Sequence, residues 1–185
     1  MLTKDEALAL VKKNVTKRNS RYHMIAVEAI MECVARYLGE NEKLWGLTGL
    51  LHDIDYERTE GCPEKHALIS EEILGDFDVP GEVIRAIKAH NFLYSHIEPE
   101  SSMEKALIAC DAISGLLVAC ALVMPSKKLA EVKVDTVVKK FGDKSFARGV
   151  ERDRILFCEE LGISRKMFFE IALDGLKVFS SEIGL

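Results

Sequence analysis

The sequence predicts an all-α protein, on three observations. Apolar residues return at helical spacing along almost all of the 185-residue chain. Residues that cap helices (Thr3, Asn41, Ser101, Ser164) stand just ahead of these runs, and glycines such as Gly39 and Gly75 close them. No segment shows a sustained period-two alternation rich in β-branched residues, so a sheet is not expected.

The first helix lies in MLTKDEALALVKKN, with Thr3 as its cap and Asp5 and Glu6 in its first turn, where carboxylates meet the positive end of the helix dipole. In RYHMIAVEAIMECVARYL, Tyr22, Ile25, Ala29, Cys33 and Tyr37 recur near helical spacing, and Gly39 is a natural stop. Asn41 can cap the next helix, which runs through Trp45 to Leu51 and arrives at His52. Residues 54–63 read as a polar loop ending in Gly61, Cys62 and Pro63. A short helix over KHALISEEIL is closed by Gly75, and Asp78-Val-Pro-Gly opens another over EVIRAIKAH. NFLYSHIEPESS is expected to be a loop, with Ser101 or Ser102 capping a long apolar helix. Lys133 to Phe146 holds a short helix and a turn at Gly142, a further helix covers Ser145 to Leu161, and Ser164 caps a last one reaching Phe179. No repeat, low-complexity tract or linker interrupts this order, so residues 1–185 are expected to form one domain.

A chain of this length can bury a substantial core without staples. Its composition, 48% apolar and 30% charged, is ordinary for a globular protein. A net charge of −5 argues against a nucleic-acid partner, because phosphate binding takes a clustered excess of Lys and Arg. The five cysteines, Cys33, Cys62, Cys110, Cys120 and Cys158, are odd in number and form no CxxC pair. A reducing cytoplasm is therefore expected, rather than a disulfide framework or zinc ribbon. The charged opening lacks the apolar core of a signal peptide.

One stretch, Ala106 to Met124 (ALIACDAISGLLVACALVM), has 19 residues and a single charge, Asp111. Its length suits a membrane span, but an aspartate in mid-span costs about 2.5–3.5 kcal/mol, and the mixed flanks do not anchor it. The expectation is a central helix buried on all sides, with no membrane. Asp111 then needs a partner or a bound cation.

Four of the five histidines fall beside or inside expected helices, near their ends. His23 begins one helix, His52 ends the next, His66 begins a third and His90 ends a fourth, while His96 lies in a loop. In LLHDIDYERT an apolar run ends directly in His52 and Asp53. Any one of these residues is most simply a cap or a surface group. Together with Asp111 they form a set of imidazoles and carboxylates suited to a divalent transition metal such as Fe, Mn, Co, Ni or Zn.

The order His23, His52-Asp53, His66, His90, Asp111 resembles the ligand series of the HD superfamily of metal-dependent phosphohydrolases. The resemblance covers about residues 20–120 and includes the apolar run before His52-Asp53 and the aspartate within ALIACDAISG. The tail, about residues 125–185, is similar to that of small HD-domain proteins of bacteria and archaea and carries no catalytic motif. The resemblance implies an HD-domain helical bundle with a C-terminal helical extension. It further implies one or two metal ions, the first bound by His23, His52, Asp53 and Asp111, the second by His66 and His90, with Asp53 bridging. One departure matters: many two-metal members have adjacent histidines at the later station, whereas here Asn91 follows His90. His96 could substitute, although a loop histidine is more often exposed to solvent.

The activity so implied is hydrolysis of a small phosphorylated molecule, a nucleotide being one option, with His52, Asp53 and Asp55 as catalytic residues. Paired metals acidify water and clamp phosphate oxygens, so no side-chain nucleophile is needed, and no GxSxG element is present. Asp55 and Glu57 could orient a histidine ligand or the attacking water, the alternative being solvated loop charge. Arg58, Lys65, Lys127 and Lys128 are candidate phosphate contacts, in competition with plain surface roles. The same ligand order is also similar to that of di-iron oxygenases built on this fold, and a non-catalytic binding module is a third reading. Phe168, Phe169 and Phe179 are expected in the core, with a homodimer face as the alternative.

Overall fold

The computed structural model describes residues 2–180, and among them eleven α-helices and no strand. Helix α1 (Lys4–Asn14) begins with a reciprocal cap: Thr3 Oγ1 accepts the Glu6 amide and the Glu6 carboxylate accepts the Thr3 amide. Helix α2 (Arg18–Leu38) ends at Gly39, whose φ of 75° is the left-handed conformation that stops a helix at little steric cost. Asn41 caps α3 (Glu42–Leu51) by accepting the Leu44 amide. Helices α2 and α3 touch closely because Gly49 has no side chain. A Cβ there would stand 2.9 Å from backbone atoms of Glu28 and Val27. This contact sets the end of α3, and with it His52 and Asp53, beside His23 on α2.

The chain continues through α4 (Ser70–Leu74), α5 (Gly81–His90), α6 (Phe92–Ser95) and the long α7 (Ser102–Leu122). Helix α7 packs against α2 and α5 and against the tail helices α8 (Val134–Gly142), α9 (Arg152–Ile155), α10 (Phe157–Glu160) and α11 (Arg165–Val178). It is long and apolar enough to cross a membrane, but 61% of its most apolar window is buried inside the protein, as expected of a core helix. Burial is not complete, however. Asp111, Ala112 and Gly115 share one stripe of α7 that faces a cavity. Phe168 and Phe169 are fully buried in the core that the tail shares with α2 and α7. A second close approach seats Gly175 of α11 on α2, where a Cβ would lie 2.9 Å from the Ala29 carbonyl oxygen.

Four local expectations fail. Residues 63–69 are consecutive turns, so only the end of KHALISEEIL is helical and His66 does not begin a helix. Ala67 there has a φ of 69°, which costs a non-glycine residue about 1–2 kcal/mol and breaks the helical run. His23 lies in the second turn of α2 rather than at its start. NFLYSHIEPESS contains the short helix α6. The helix expected over Ser145 to Leu161 is split, with residues 145–151 irregular. There the guanidinium of Arg152 donates to the carbonyls of Lys140, Phe141, Asp143, Phe146, Ala147 and Val150, which satisfies backbone acceptors without a helix.

Candidate metal centre

A cavity of about 620 Å³ opens over the ends of α3 and α5 and the open stripe of α7, with residues 149–151 and 154 forming one wall. Its lining includes His23, Asp53, His66, His90, Asp111 and Arg154. His52 lies directly beneath, fully buried. Six residues from five separate stretches of chain thus meet in one place.

The four histidines are held alike. His52 Nδ1 donates to the Gly49 carbonyl at 2.8 Å, and His90 Nδ1 donates to the Ile87 carbonyl. His66 Nδ1 donates to Asp55 Oδ1 at 3.0 Å. Ser114 Oγ gives its proton to the Asp111 carbonyl, so it accepts from His23 Nδ1 at 3.1 Å. A carbonyl or carboxylate only accepts, so each Nδ1 carries the hydrogen and each Nε2 is left to face inward. Such anchoring of the outer nitrogen is how proteins orient a histidine that binds metal through the other one.

The inward atoms converge. His23 Nε2 stands 3.1 Å from Asp111 Oδ1 and 3.7 Å from Asp53 Oδ2. His52 Nε2 stands 3.5 Å from Asp53 Oδ1 and 3.9 Å from Asp111 Oδ1. On the other side of Asp53, Oδ1 is 3.3 Å from His66 Nε2 and 3.6 Å from His90 Nε2. Ligands of one ion, each bonded at about 2.0–2.2 Å, stand at separations of this order. One donor atom from each of His23, His52 and Asp53, and likewise from Asp53, His66 and His90, lies within 4.8 Å of the others. Asp53 belongs to both of these groups, and a third group, His52, His90 and Asp111, spans them.

Whether an ion fits is decided by His52 Nε2, which is buried and has no hydrogen-bond partner. An unpaired buried acceptor costs about 1–3 kcal/mol, and a cation removes that cost. The donor set therefore fits a divalent transition metal, with His23, His52, Asp53 and Asp111 suited to one ion and Asp53, His66 and His90 to another.

The electrostatics agree. Burial pushes His52 down to about 4, so it stays neutral and available as a ligand. Burial would raise Asp53, but His52, His66, His90 and His23 hold it well below the usual carboxylate range. Asp111 is lowered in the same way by His23 and His52 against the effect of burial. His23 and His66 are the exceptions: burial would lower both, but Asp111 and Asp53 raise His23, and the Asp53 and Asp55 carboxylates lift His66 to about 9. His66 Nε2 lies 3.1 Å from His90 Nε2, a contact that needs a proton or a cation between two nitrogens. Without metal, a proton fills that role.

Asp55 is fully buried, takes the His66 Nδ1 hydrogen on one oxygen and accepts the Ser70 amide on the other at 3.1 Å. Glu57 lies away from the cavity and instead accepts the Thr16 and Lys17 amides, tying down the loop between α1 and α2. The structure does not bring the four cations expected at a phosphate to the site. Arg58, Lys65, Lys127 and Lys128 are all exposed and outside the lining, and Arg58 donates to Asn14. Arg58 lies in a short 3-10 helix (Tyr56–Arg58), Lys65 in a turn and Lys127 and Lys128 in irregular backbone, none of them directed into the cavity. His96 is exposed too and does not join the cluster. Asn91, where a second histidine stands in many two-metal relatives, donates to the Pro63 and His66 carbonyls and so pins the turn that carries His66. Sequence reasoning missed Arg154 and Tyr56. Arg154 carries no motif and lies far beyond the last ligand along the chain; Tyr56, which meets the His66 ring edge-on, sits inside the LLHDIDYERT segment.

A helical domain that gathers four imidazoles and two carboxylates over a shared aspartate defines a class of metal-dependent phosphohydrolases. Residues 21–116 match the HD domain, and the chain belongs to that family. Ribonuclease Y of Sulfurovum sp. (strain NBC37-1) is 33% identical over 97 residues, covering 52% of this chain and 18% of that protein. Ribonuclease Y of Acholeplasma laidlawii is 34% identical over 97 residues. For Ribonuclease Y of Desulfotalea psychrophila the identity is 27% over 150 residues, covering 80% of this chain and 28% of that protein. The chain thus spans less than a third of the length of these relatives. No solved structure matches it.

Proposed function

We propose that this protein hydrolyses a phosphoester in a small phosphorylated substrate of nucleotide size, using one or two divalent ions of Fe, Mn, Co, Ni or Zn. The observation that carries the reading is the convergence of four anchored Nε2 atoms and two carboxylates, with one of the four, the buried His52 Nε2, left without a hydrogen-bond partner. When bound, the ions supply water acidified towards neutrality and positive charge for phosphate oxygens. The chain supplies the rest. Gly49, Ile87, Ser114 and Asp55 fix the four rings, and Asp53 is shared between the two donor groups.

A cavity of about 620 Å³ lies within the range of roughly 300–1,000 Å³ usual for small-molecule sites. All of its donors come from one chain, so the reading needs no second subunit. Five free cysteines suit a reducing compartment, which supports a cytoplasmic setting. A phosphodiester in RNA is the second reading, favoured by the name ribonuclease carried by the relatives. The net charge of −5 and a cavity with a single arginine and no lysine among the described residues of its lining favour the small substrate.

The test is to purify the protein without oxygen, measure its metal by elemental analysis, and screen phosphomonoesters, diesters, nucleotides and short RNA with Mn²⁺ or Fe²⁺. Product release from a mononucleotide or small ester without oxygen uptake is expected. His52→Ala and Asp53→Ala should lose metal and turnover together. Metal-replete protein that consumes oxygen, or that cleaves none of these esters, refutes the reading.

A further inference from the structure

We propose that Arg154 binds the phosphate group of the substrate beside the first metal position, an inference that rests on the phosphoester reading above. The residue comes from the C-terminal tail, outside the 21–116 segment that matches the HD domain. The family match therefore does not supply it.

Three observations carry the proposal. Among the described residues lining the cavity, Arg154 is the one lysine or arginine. Its Nη2 stands 3.8 Å from Asp111 Oδ2 and donates to the backbone carbonyl of His90, which places the guanidinium between ligands of both donor groups. Its outer donor is not committed to a buried partner: Nη1 is held at 3.1 Å by Glu151, whose side chain is 59% exposed at the rim, while the buried Nε has no hydrogen-bond partner among the described residues.

The charges on the walls explain why a cation is needed here. Asp53, Asp111 and Glu151 all face the cavity, and an incoming phosphate meets their repulsion in a partly dry space. A guanidinium offers a planar fork that matches two phosphate oxygens, and its charge does not depend on pH. Glu151 occupies the place of one such oxygen and swings out to solvent when phosphate arrives. Arg152, two residues earlier, gathers six backbone carbonyls and so presents this segment from a tied-down loop. Positioning of this kind makes one arginine effective.

Two variants test the proposal in the full-length, Mn²⁺-loaded protein. Arg154→Gln removes the charge and keeps a polar, uncharged side chain. Arg154→Lys keeps the charge and removes the fork. The readouts are metal content, affinity for inorganic phosphate from broadening of its ³¹P resonance, and kcat/KM on an ester that the unaltered protein hydrolyses. We expect unchanged metal content, phosphate binding at least tenfold weaker in Arg154→Gln with Arg154→Lys intermediate, and a fall in kcat/KM of at least a hundredfold in Arg154→Gln. Phosphate affinity within twofold of the unaltered protein in both variants overturns the proposal, as does loss of metal from both. If the unaltered protein turns over esters and both variants match it, Arg154 is excluded while the hydrolase reading stands. If the unaltered protein binds phosphate through Arg154 yet hydrolyses no ester, the phosphate site is supported and the hydrolase reading fails.

Discussion

Replacing Gly49 by alanine tests how the fold delivers His52 and Asp53 to their partners. The new Cβ would meet Glu28 Cα, Glu28 N and Val27 C at 2.9 Å. These are backbone atoms of α2 and cannot rotate away. Ordinary contact begins near 3.4 Å, so the two helices must separate by roughly 0.5 Å. Overpacking of this kind costs about 1–3 kcal/mol. In a chain of this size each kcal/mol lowers Tm by about 2–4 °C, so a fall of roughly 2–12 °C is expected. The shift also separates His23 on α2 from His52 and Asp53 at the end of α3, and metal sites tolerate distance errors of only about 0.2 Å. Affinity for the first ion should therefore fall by about tenfold or more, a loss of about 1.4 kcal/mol. Urea unfolding of the metal-free protein measures the first effect, and a Co²⁺ titration followed by absorbance measures the second. Gly81→Ala is the control, because a Cβ there meets nothing within 4 Å. Gly49→Ala protein with unaltered stability and unaltered Co²⁺ affinity would refute the reasoning that this close approach sets the site.

Asp55→Asn should weaken the ion held by His66 and His90 by about 10–100-fold and leave the other ion in place, seen as selective loss of one step in a metal titration. Arg152→Ala removes a charged donor shared by six carbonyls; stability should drop by about 2 kcal/mol in urea, with faster hydrogen exchange at residues 145–151. Stability of the metal-free protein should peak near pH 6.5, the ordinary value of both His52 and His66. Below it, the unfolded chain protonates His52 while the folded site, at about 4, resists, so stability falls with falling pH. Above it, the unfolded chain releases the His66 proton that the fold holds up to about 9, so stability falls with rising pH. His66→Asn should reduce the alkaline arm and leave the acid arm, the remainder belonging to His23, which Asp111 and Asp53 also raise; an unchanged alkaline arm in thermal melts between pH 7 and 9 would contradict the assignment. Adding metal should steepen loading with pH, by up to tenfold per unit below 9 for the ion that displaces the His66 proton.

The elements that sequence alone resolves best are those with local causes. The Thr3, Asn41 and Ser164 caps, the Gly39 stop and the long α7 follow from neighbours a few residues away. The break at residues 63–69 does not, because Asn91, remote along the chain, holds the Pro63 and His66 carbonyls; the break at 145–151 is held by the adjacent Arg152, whose guanidinium also reaches Lys140, Phe141 and Asp143, and no periodicity marks such a hub. The clustered motif residues were legible as a set, since their spacing and types resemble a known series. The cation at the cavity was not, because Arg58, Lys65, Lys127 and Lys128, the ones the sequence suggested, are exposed and outside its lining.

By itself, the sequence determined that the chain is helical, which helices are apolar, and which imidazoles and carboxylates could share a cation. Periodicity and chemical type are properties of residues and their near neighbours. Only the tertiary structure decided that Asp111 faces a cavity rather than a sealed core, that Asn91 holds the His66 turn, and that Arg154 is the cation beside the ligands. Those facts depend on distances between helices remote along the chain, set by close contacts such as Gly49 on α2, and no local pattern encodes them.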